Sequence, residues 1–253
     1  MRIAVVGDLH GHWLELRNVL EELHAHSPID LVLQVGDAQA TRDDVDLSFM
    51  PVPEKYRRLG TFQQLAVPWP IPTWFIGGNH EPFNRLESMP MGGEMLENLH
   101  YMGRATSRTF GALRIAGLSG VFSSRFYDSP REAWPFSTSK AKQAAYFRRK
   151  EVQELSRTPR PDILLLHEWP AQMESARDPA WPRHLTKVGC EALGELVLNL
   201  RPKFVFCGHL HLSASTQLGE TTIIALNNFS ALPDRAIALL EWTGDELRLI
   251  EMI

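Results

Sequence analysis

The stretch RIAVVGDLHGH, residues 2–12, decides the fold more than any other part of the chain. Its first half is a run of apolar and β-branched residues, which predicts a buried strand over residues 2–7. That strand ends at Asp8 and His10, and apolar side chains then recur at helical spacing from Trp13 to His26. A buried strand, a polar turn and an amphipathic helix in this order are typical of an α/β protein.

The same unit returns along the chain, because further apolar runs also end in polar residues. The predicted strands and the polar residues after them are 30–35 with Asp37, 72–76 with Asn79 and His80, 162–166 with His167, and 203–207 with His209 and His211. Strands alternating with helices indicate an α/β fold whose sheets are covered on both faces. Sites in open α/β sheets gather at the carboxyl ends of strands, so these polar residues form the candidate site.

The remaining segments complete one predicted domain over residues 1–253, since no linker rich in proline and glycine interrupts the pattern. We expect helices at 54–65, 139–155 and 190–200, the second of them basic and amphipathic. Short strands broken by glycines are expected within 101–120. The tail from 221 to 253 is expected to form strands with a hairpin turn at residues 243–245.

Composition and charge argue against several function classes. Apolar residues make up 44% and charged residues 22%, as in an ordinary globular protein, and the net charge of -4 argues against a generally basic nucleic-acid binder. Cys190 and Cys207 have no CxxC spacing, so neither a disulfide framework nor a zinc–thiolate site is expected. No apolar run suits a signal peptide or a membrane span. We therefore expect a cytoplasmic protein without membrane association or an obligate protein partner.

The polar residues at the strand ends have the composition of a metal site. The candidate ligands are Asp8, His10, Asp37, Asn79, His167, His209 and His211. Mixed imidazole and carboxylate ligands suit manganese, iron or zinc better than calcium or magnesium. The set is too large for one ion, whereas two divalent ions sharing a carboxylate would use all of it. Asp8-x-His10 and His209-x-His211 are each expected to place two side chains on one side of an extended segment.

Two metal ions about 3.5–4 Å apart activate water and hold the oxygens of an in-line displacement at phosphorus, so phosphoester hydrolysis is expected. His80 follows the candidate ligand Asn79 and is free to protonate the leaving oxygen or to stabilise charge on the phosphoryl group. Glu81 is expected to orient the His80 imidazole. The other histidines are expected to be structural or surface residues, namely His12, His24, His26, His100 and His184.

Taken together and in order, these motifs resemble the calcineurin-like metallophosphoesterase superfamily. They are Gly7-Asp8-Leu9-His10, Gly36-Asp37, Gly78-Asn79-His80-Glu81, His167 and Gly208-His209-Leu210-His211. The resemblance implies a four-layer α/β/β/α sandwich of two mixed sheets flanked by helices. It also implies one metal held by Asp8, His10, Asp37 and His211, and a second held by Asp37, Asn79, His167 and His209, with Asp37 bridging.

The stretches between the motifs are similar to the RNA lariat debranching enzymes over roughly residues 1–230. The matching stretches are 36–42, 53–57, 61–62, 75–81, 115–122 and 167–170. This resemblance implies a phosphodiesterase for 2′,5′-branched RNA, with a substrate-recognition loop and helix at about 119–155. Asp8 stands where many eukaryotic debranching enzymes have a cysteine, which favours two firmly held metals.

Substrate-binding residues are expected in two places. Arg42, Asn84 and Arg85 follow ligand-bearing turns, where a fixed donor could reach a phosphate oxygen. Arg125 and Tyr127 lie in the 119–155 segment, where cations interleaved with aromatic rings could bind RNA. For the basic positions 140, 142 and 148–150 in the same segment, a solvated helix face is an equal alternative.

Three functions stay open at this point. The first is a phosphodiesterase that acts on RNA, most specifically at a 2′,5′ branch. The second is a phosphoesterase for another substrate, such as a cyclic nucleotide, another nucleic-acid diester or a phosphoprotein. The third is a scaffold that keeps the fold without catalysis, although such scaffolds typically lose ligands and here every position is filled.

Overall fold

The computed structural model describes residues 1–65, 68–182, 185, 188–231 and 234–253. The strands of these parts are β1 (Arg2–Val6), β2 (Leu31–Gln34), β3 (Thr73–Phe75), β4 (Gly93–Leu96), β5 (Leu99–Tyr101), β6 (Ala105–Phe110), β7 (Leu113–Leu118), β8 (Ile163–Leu166), β9 (Phe204–Cys207), β10 (Ala214–Leu218), β11 (Thr221–Ala225), β12 (Ile237–Trp242) and β13 (Leu247–Met252). The α-helices are α1 (Trp13–His26), α2 (Asp44–Ser48), α3 (Phe83–Leu86), α4 (Ala141–Ala144), α5 (Arg149–Ser156) and α6 (Glu191–Leu200). His184 lies outside the described residues.

The strands form two mixed sheets. The first sheet has the order β13-β12-β1-β2-β3-β5-β4, and the second has the order β10-β11-β9-β8-β7-β6. In the first sheet β1, β2 and β3 are parallel, and in the second β7, β8 and β9 are parallel. The carboxyl ends of each parallel set therefore lie at one edge of their sheet.

Three hydrophobic layers hold the two sheets and the helices together. Between the sheets lie side chains from both, among them Val5 of β1, Leu33 of β2 and Leu165 of β8. Trp13, Leu16 and Leu20 of α1 cover the outer face of the first sheet. Side chains of α5 and α6 cover the outer face of the second sheet. The expected four-layer α/β/β/α sandwich is confirmed, because alternate side chains of each strand face opposite layers.

The site edges of the two sheets are joined by backbone hydrogen bonds. Gly120, which follows β7, donates its N–H to the Gly77 carbonyl oxygen after β3, at 2.7 Å. Phe229, which follows β11, donates its N–H to the Asp8 carbonyl oxygen after β1, at 2.8 Å. Loops after strands of both sheets consequently converge on one rim. Within the described ranges, no helix is both long enough and apolar enough to cross a membrane.

The prediction of a helix at 54–65 is wrong. The segment holds only two short 3₁₀ turns, Glu54–Tyr56 and Phe62–Gln64. Gly60 between them has a φ of 63°, which an α-helix does not tolerate, and it packs on the backbone of Gly11. Tertiary contact thus overrides the local helical pattern.

The prediction of a single helix at 139–155 is also wrong, because the helical conformation ends after α4. Val121 donates its N–H to the Ala145 carbonyl oxygen at 2.9 Å and accepts a hydrogen bond from the Phe147 N–H at 3.1 Å. These bonds form a parallel bridge between Val121 and Tyr146. The backbone around residue 146 therefore pairs with the loop after β7 instead of continuing the helix, which resumes as α5.

Candidate metal centre

The turns that carry the candidate ligands adopt left-handed backbone, which the sequence analysis did not anticipate. His10, Asp37, His209 and His211 have φ values of 47°, 52°, 71° and 53°. The extended geometry expected for Asp8-x-His10 and His209-x-His211 is therefore wrong. Leu9 and His10 both donate their N–H to the Asp37 carbonyl oxygen, at 3.2 and 2.8 Å, so the first turn folds back on the second. Left-handed backbone at non-glycine residues is uncommon and concentrates at functional sites.

The first ligand set is brought together as the resemblance implies. One ligand atom from each of Asp8, His10, Asp37 and His211 lies within 4.8 Å of the others. His211 Nε2 is 3.2 Å from Asp8 Oδ2, and His10 Nε2 is 3.9 Å from Asp37 Oδ2. The Nε2 atoms of His10 and His211 face each other at 2.8 Å.

The second ligand set adjoins the first through Asp37. His167 Nε2 is 3.3 Å from Asp37 Oδ1 and 3.2 Å from Asn79 Oδ1. Its Nδ1 is 2.9 Å from the carbonyl oxygen of Val35, which accepts the Nδ1 proton and leaves Nε2 as the free nitrogen. The ring of His209 lies beside that of His167, with 5.1 Å between centroids.

Gly208 allows the turn before His209 to approach Asp8. A side chain at Gly208 would collide with the Asp8 carboxylate. Both oxygens of that carboxylate accept the backbone N–H of His209, at 3.0 and 2.9 Å. Asp8 therefore positions the backbone of the Gly-His-Leu-His turn as well as presenting its own oxygens to the first ligand set.

The electrostatics of the buried carboxylates and His167 favour a positive charge at this centre. Burial raises the pKa of Asp37, but His167, His80 and His10 together outweigh burial and hold this pKa well below its ordinary value. Burial lowers the pKa of His167, yet the Asp37 and Asp8 carboxylates raise it to about 10. Oxygens of Asp37 and Asn79 thus lie next to His167 Nε2, which carries a lone pair unless it is protonated. A cation coordinated by the Asp37 oxygen, the Asn79 oxygen and His167 Nε2 fits this donor set, and so do two cations that share Asp37.

Glu81 has a different task from the one expected. Its Oε1 accepts the backbone N–H of Ala38 at 2.9 Å and of Gly78 at 3.0 Å, and its Oε2 accepts that of Gln39 at 2.9 Å. Both oxygens are thereby bound to the turns that carry Asp37 and Asn79 instead of orienting the His80 ring. Burial, followed by the Asp37 charge, raises the pKa of Glu81 to about 8, although the three N–H donors lower it. Glu81 is a buried brace between two ligand turns.

His80 lies beside the first ligand set with its backbone held and its ring free of the ligand cluster. The His80 N–H donates to Asp37 Oδ1 at 2.7 Å. The His80 ring centroid is 5.0 Å from that of His10, in an edge arrangement. The imidazole is half-buried and lines a cleft of about 800 Å³ together with His10 and His211. This placement suits a proton donor next to a metal-bound substrate.

Two of the three substrate-binding candidates near these turns bind the buried Asp46 carboxylate, and the third binds a backbone carbonyl. Arg42 binds both Asp46 oxygens, with 2.8 Å from Nε to Oδ2 and 2.8 Å from Nη2 to Oδ1. Asn84 Nδ2 donates to Asp46 Oδ1 at 2.7 Å. Arg85 Nη2 donates to the Met95 carbonyl oxygen at 2.9 Å, and burial lowers the pKa of Arg85 to about 10. Asn84 and Arg85 are thus held by the protein itself, while Arg42 keeps about half of its side chain exposed (48%).

The aromatic and basic residues of the 119–155 segment also contact mainly one another. Tyr127 is buried against Phe122 and Phe147, with ring centroids at 5.3 and 6.0 Å. The Arg125 guanidinium lies 5.3 Å from the Phe126 ring centroid. Arg149 lies over the Tyr127 ring at 4.6 Å. A ring that packs into the second core layer cannot also offer both faces to a base, so Tyr127 serves the fold first.

Residues that sequence analysis missed lie next to the predicted ones. Asp46 is fully buried and organises Arg42 and Asn84, but no motif marks it. Tyr56 and Arg58 line the cleft beside His80. Tyr56 lies in the resembling stretch 53–57 and Arg58 just after it, in a segment that was predicted to be helical.

Comparisons with known proteins agree with this geometry. The sequence profile described as Calcineurin-like phosphoesterase matches residues 1–213. The human lariat debranching enzyme is 35% identical over 228 residues, which cover 83% of this chain and 42% of the human protein. The Arabidopsis thaliana lariat debranching enzyme is 34% identical over 246 residues, or 87% of this chain and 57% of that protein. The chain spans about half the length of these curated relatives.

Solved structures show the same fold at low sequence identity. The crystal structure of a Thermus thermophilus protein, TT1561, aligns over 99% of this chain and 98% of its own, with a TM-score of 0.54 and 14% identity. A further crystal structure aligns over 100% of this chain and 99% of its own, with a TM-score of 0.63 and 11% identity. At such identities the likeness concerns the fold alone.

Proposed function

The chain belongs to the calcineurin-like phosphoesterase family of metal-dependent hydrolases, and from that premise we propose that it is a dinuclear phosphodiesterase. The observation that carries the proposal is the shared position of Asp37. Its Oδ1 lies 3.3 Å from His167 Nε2, and its Oδ2 lies 3.9 Å from His10 Nε2, so one carboxylate faces both ligand sets. A bridging carboxylate of this kind is what a two-metal centre requires.

The two ligand sets would hold one ion each. Asp8, His10 and His211 complete the first site with Asp37, and Asn79, His167 and His209 complete the second. The mixture of imidazole, carboxylate and amide donors fits manganese, iron or zinc. When bound, the ions would activate a water and neutralise charge on the phosphoryl oxygens.

The chain's own residues would then arrange the reaction. In hydrolysis the water releases a proton to solvent as its oxygen forms a bond to phosphorus, and the bond from phosphorus to the leaving oxygen breaks, with the electron pair staying on that oxygen. His80 donates a proton to that leaving oxygen and is reprotonated from solvent. Glu81 keeps the Asp37 and Asn79 turns at a fixed separation through its three backbone hydrogen bonds.

As substrate we propose 2′,5′-branched RNA. Support comes from the lariat debranching enzymes, which are about a third identical over most of this chain. Further support comes from the 119–155 segment, which is joined to the site rim by the Gly120 N–H, the donor to the Gly77 carbonyl oxygen at 2.7 Å. Among the residues expected to touch substrate, Arg42 and Arg125 remain proposed phosphate contacts, while Asn84, Arg85 and Tyr127 would act by holding their surroundings. We further propose that residues 1–253 act as one domain; the cytoplasmic location stays a prediction.

A comparison of substrates tests this function. Purified protein loaded with Mn²⁺ is incubated with a 2′,5′-branched RNA, with its unbranched counterpart and with an aryl phosphodiester. We expect hydrolysis of the 2′,5′ bond and much slower cleavage of the unbranched strand. Turnover of the aryl diester without any debranching would favour a phosphoesterase for another substrate. Absence of turnover on all three, with metal bound, would favour the scaffold.

A further inference from the structure

The cleft beside His80 has a second wall that belongs to neither ligand set. His10, His80 and His211 form one side, and the segment from Tyr56 to Thr61 forms the other. The cleft has a volume of about 800 Å³, which is enough for a nucleoside. Because the cleft lies next to the proton donor His80, the group that bears the leaving oxygen would bind in it.

The second wall is fastened to the ligand turns by backbone contacts. Gln39 Nε2 donates to the Arg58 carbonyl oxygen, and Thr41 Oγ1 donates to the Leu59 carbonyl oxygen. The Thr61 N–H donates to the Gly11 carbonyl oxygen at 2.8 Å. Because Gly11 follows His10 and Gln39 follows Asp37, the wall keeps a constant position relative to the metal centre.

Tyr56 projects from this wall toward the proton donor. Its ring centroid lies 6.3 Å from that of His80, and half of the residue is exposed (50%). The Lys55 ammonium lies over the ring at 4.6 Å from its centroid. The ring is not part of the described core clusters and half of the residue is exposed, so ring surface not covered by Lys55 is available for stacking.

Arg58 lies on the same wall, and its guanidinium forms no ion pair with the described residues. Its side chain is exposed, and among the residues that the structure describes no carboxylate forms an ion pair with it. Glu15, the acidic residue of the cleft, is paired instead with His12, with 3.5 Å between Oε1 and Nδ1. A guanidinium and an aromatic ring that line the same cleft are a combination that binds one nucleotide, with the ring on the base and the cation on the phosphate.

We propose that this cleft is the subsite of the leaving nucleotide, with Tyr56 stacking on its base and Arg58 binding the next phosphate of its strand. The inference rests on the proposed function, since it takes His80 as the proton donor to the leaving oxygen. That oxygen must lie within hydrogen-bond reach of His80, and the nucleoside that bears it then extends into the cleft that His80 borders. The other nucleoside of the diester lies outside this subsite.

Matched substrates measure the stacking directly. Two 2′,5′-linked substrates are compared that differ only in whether the leaving nucleotide carries a base or is abasic. We expect Tyr56→Ala to lower kcat/KM about 10-fold on the first and less than about 2-fold on the second, since one stacked base is lost. Tyr56→Phe and Tyr56→Trp should keep the preference for the base. Arg58→Ala should flatten the salt dependence of KM, whereas Arg248→Ala, on the remote strand β13, should not.

Crosslinking gives an answer that does not depend on turnover. His80→Ala protein is irradiated with an RNA that carries 4-thiouridine at the leaving position, and the attached peptide is sequenced. Attachment within residues 55–61 supports the subsite. Attachment to residues 122–127, or an equal loss of activity on both substrates in Tyr56→Ala, would overturn it. If the unmodified enzyme cleaves neither substrate, the proposed function fails and the leaving-nucleotide subsite fails with it, whereas cleavage combined with attachment at residues 122–127 overturns the subsite alone.

Discussion

Two regions of the molecule concentrate charged and aromatic residues, and they use them in opposite ways. In the metal centre, donor atoms converge on one another, as with His10 Nε2 and His211 Nε2 at 2.8 Å. In the 119–155 segment, several charges are already matched by carboxylates. Arg131 binds Glu151 through two hydrogen bonds of 2.6 and 2.9 Å, and Arg149 binds Asp128.

The difference separates charges kept for a ligand from charges used by the fold. Arg148 shows the second case, because it is buried and donates to the carbonyl oxygens of Tyr146 and Gln143 at 2.7 and 3.1 Å. Burial lowers the pKa of Arg148 to about 10. A basic run in a sequence therefore does not by itself indicate an RNA-binding surface; the partners of each cation decide.

The largest expected effect is that of Asp37→Ala. Because Asp37 faces both ligand sets, we expect both metals to be lost and activity to fall on the order of 10⁴-fold or more. Elemental analysis after gel filtration and a steady-state assay measure the two effects. Asp245→Ala, in the exposed hairpin turn, is the matched control and should keep both. Retention of two ions by the Asp37 variant would contradict the bridging role.

His80→Ala should lose activity while it keeps its metals. Removal of a proton donor typically costs about 10²–10⁴-fold in rate. The loss should be smaller for a diester whose leaving group is already acidic, since such a group needs no proton. Metal content and kcat on two leaving groups check this. An equal loss on both leaving groups would assign His80 to charge stabilisation instead.

Glu151→Gln should affect stability but not metal binding. Glu151 is buried and bound to Arg131 and to the N–H of Arg148, so removal of its charge leaves Arg131 to the more distant Glu87 carboxylate at 3.4 Å. Breaking such a buried pair costs about 3–5 kcal/mol of the free energy of unfolding. Glu154→Gln, on the same helix but exposed, should cost less than about 0.5 kcal/mol. Urea denaturation of both variants makes the comparison, and equal midpoints would refute it.

The smallest expected effect is a pH dependence of that same difference. Burial raises the pKa of Glu151, but Arg131, Arg104 and the Arg148 N–H together outweigh burial, and the net pKa lies below the ordinary value. The Glu151 contribution is therefore fully present above the unfolded-state pKa of about 4.3 and is lost as pH falls through the lower folded-state pKa. The stability gap between the native protein and Glu151→Gln should shrink below about pH 4.3. A gap that stays constant down to about pH 3 would contradict the ion pair. The free energy of unfolding is measured against pH for both proteins, and the effect of protonating the metal ligands cancels when one curve is subtracted from the other.

The sequence by itself determined the α/β class, most of the strand positions and the identity of the candidate ligands. These features follow from local patterns: apolar runs predict strands, and polar residues at their ends mark the rim of a sheet. The four-layer sandwich was implied by the family resemblance. The first ligand set named from the motifs is also the one that the structure brings within 4.8 Å.

Only the tertiary structure decided what each charge faces. The left-handed turns at His10 and Asp37, the backbone role of Glu81 and the break in the helix at residue 146 all depend on hydrogen bonds between distant segments. The same holds for Asp46, which no motif marks, and for Tyr56, which a helix was expected to contain. Contacts across the sequence are set by packing of the whole chain, and a local pattern contains no information about them.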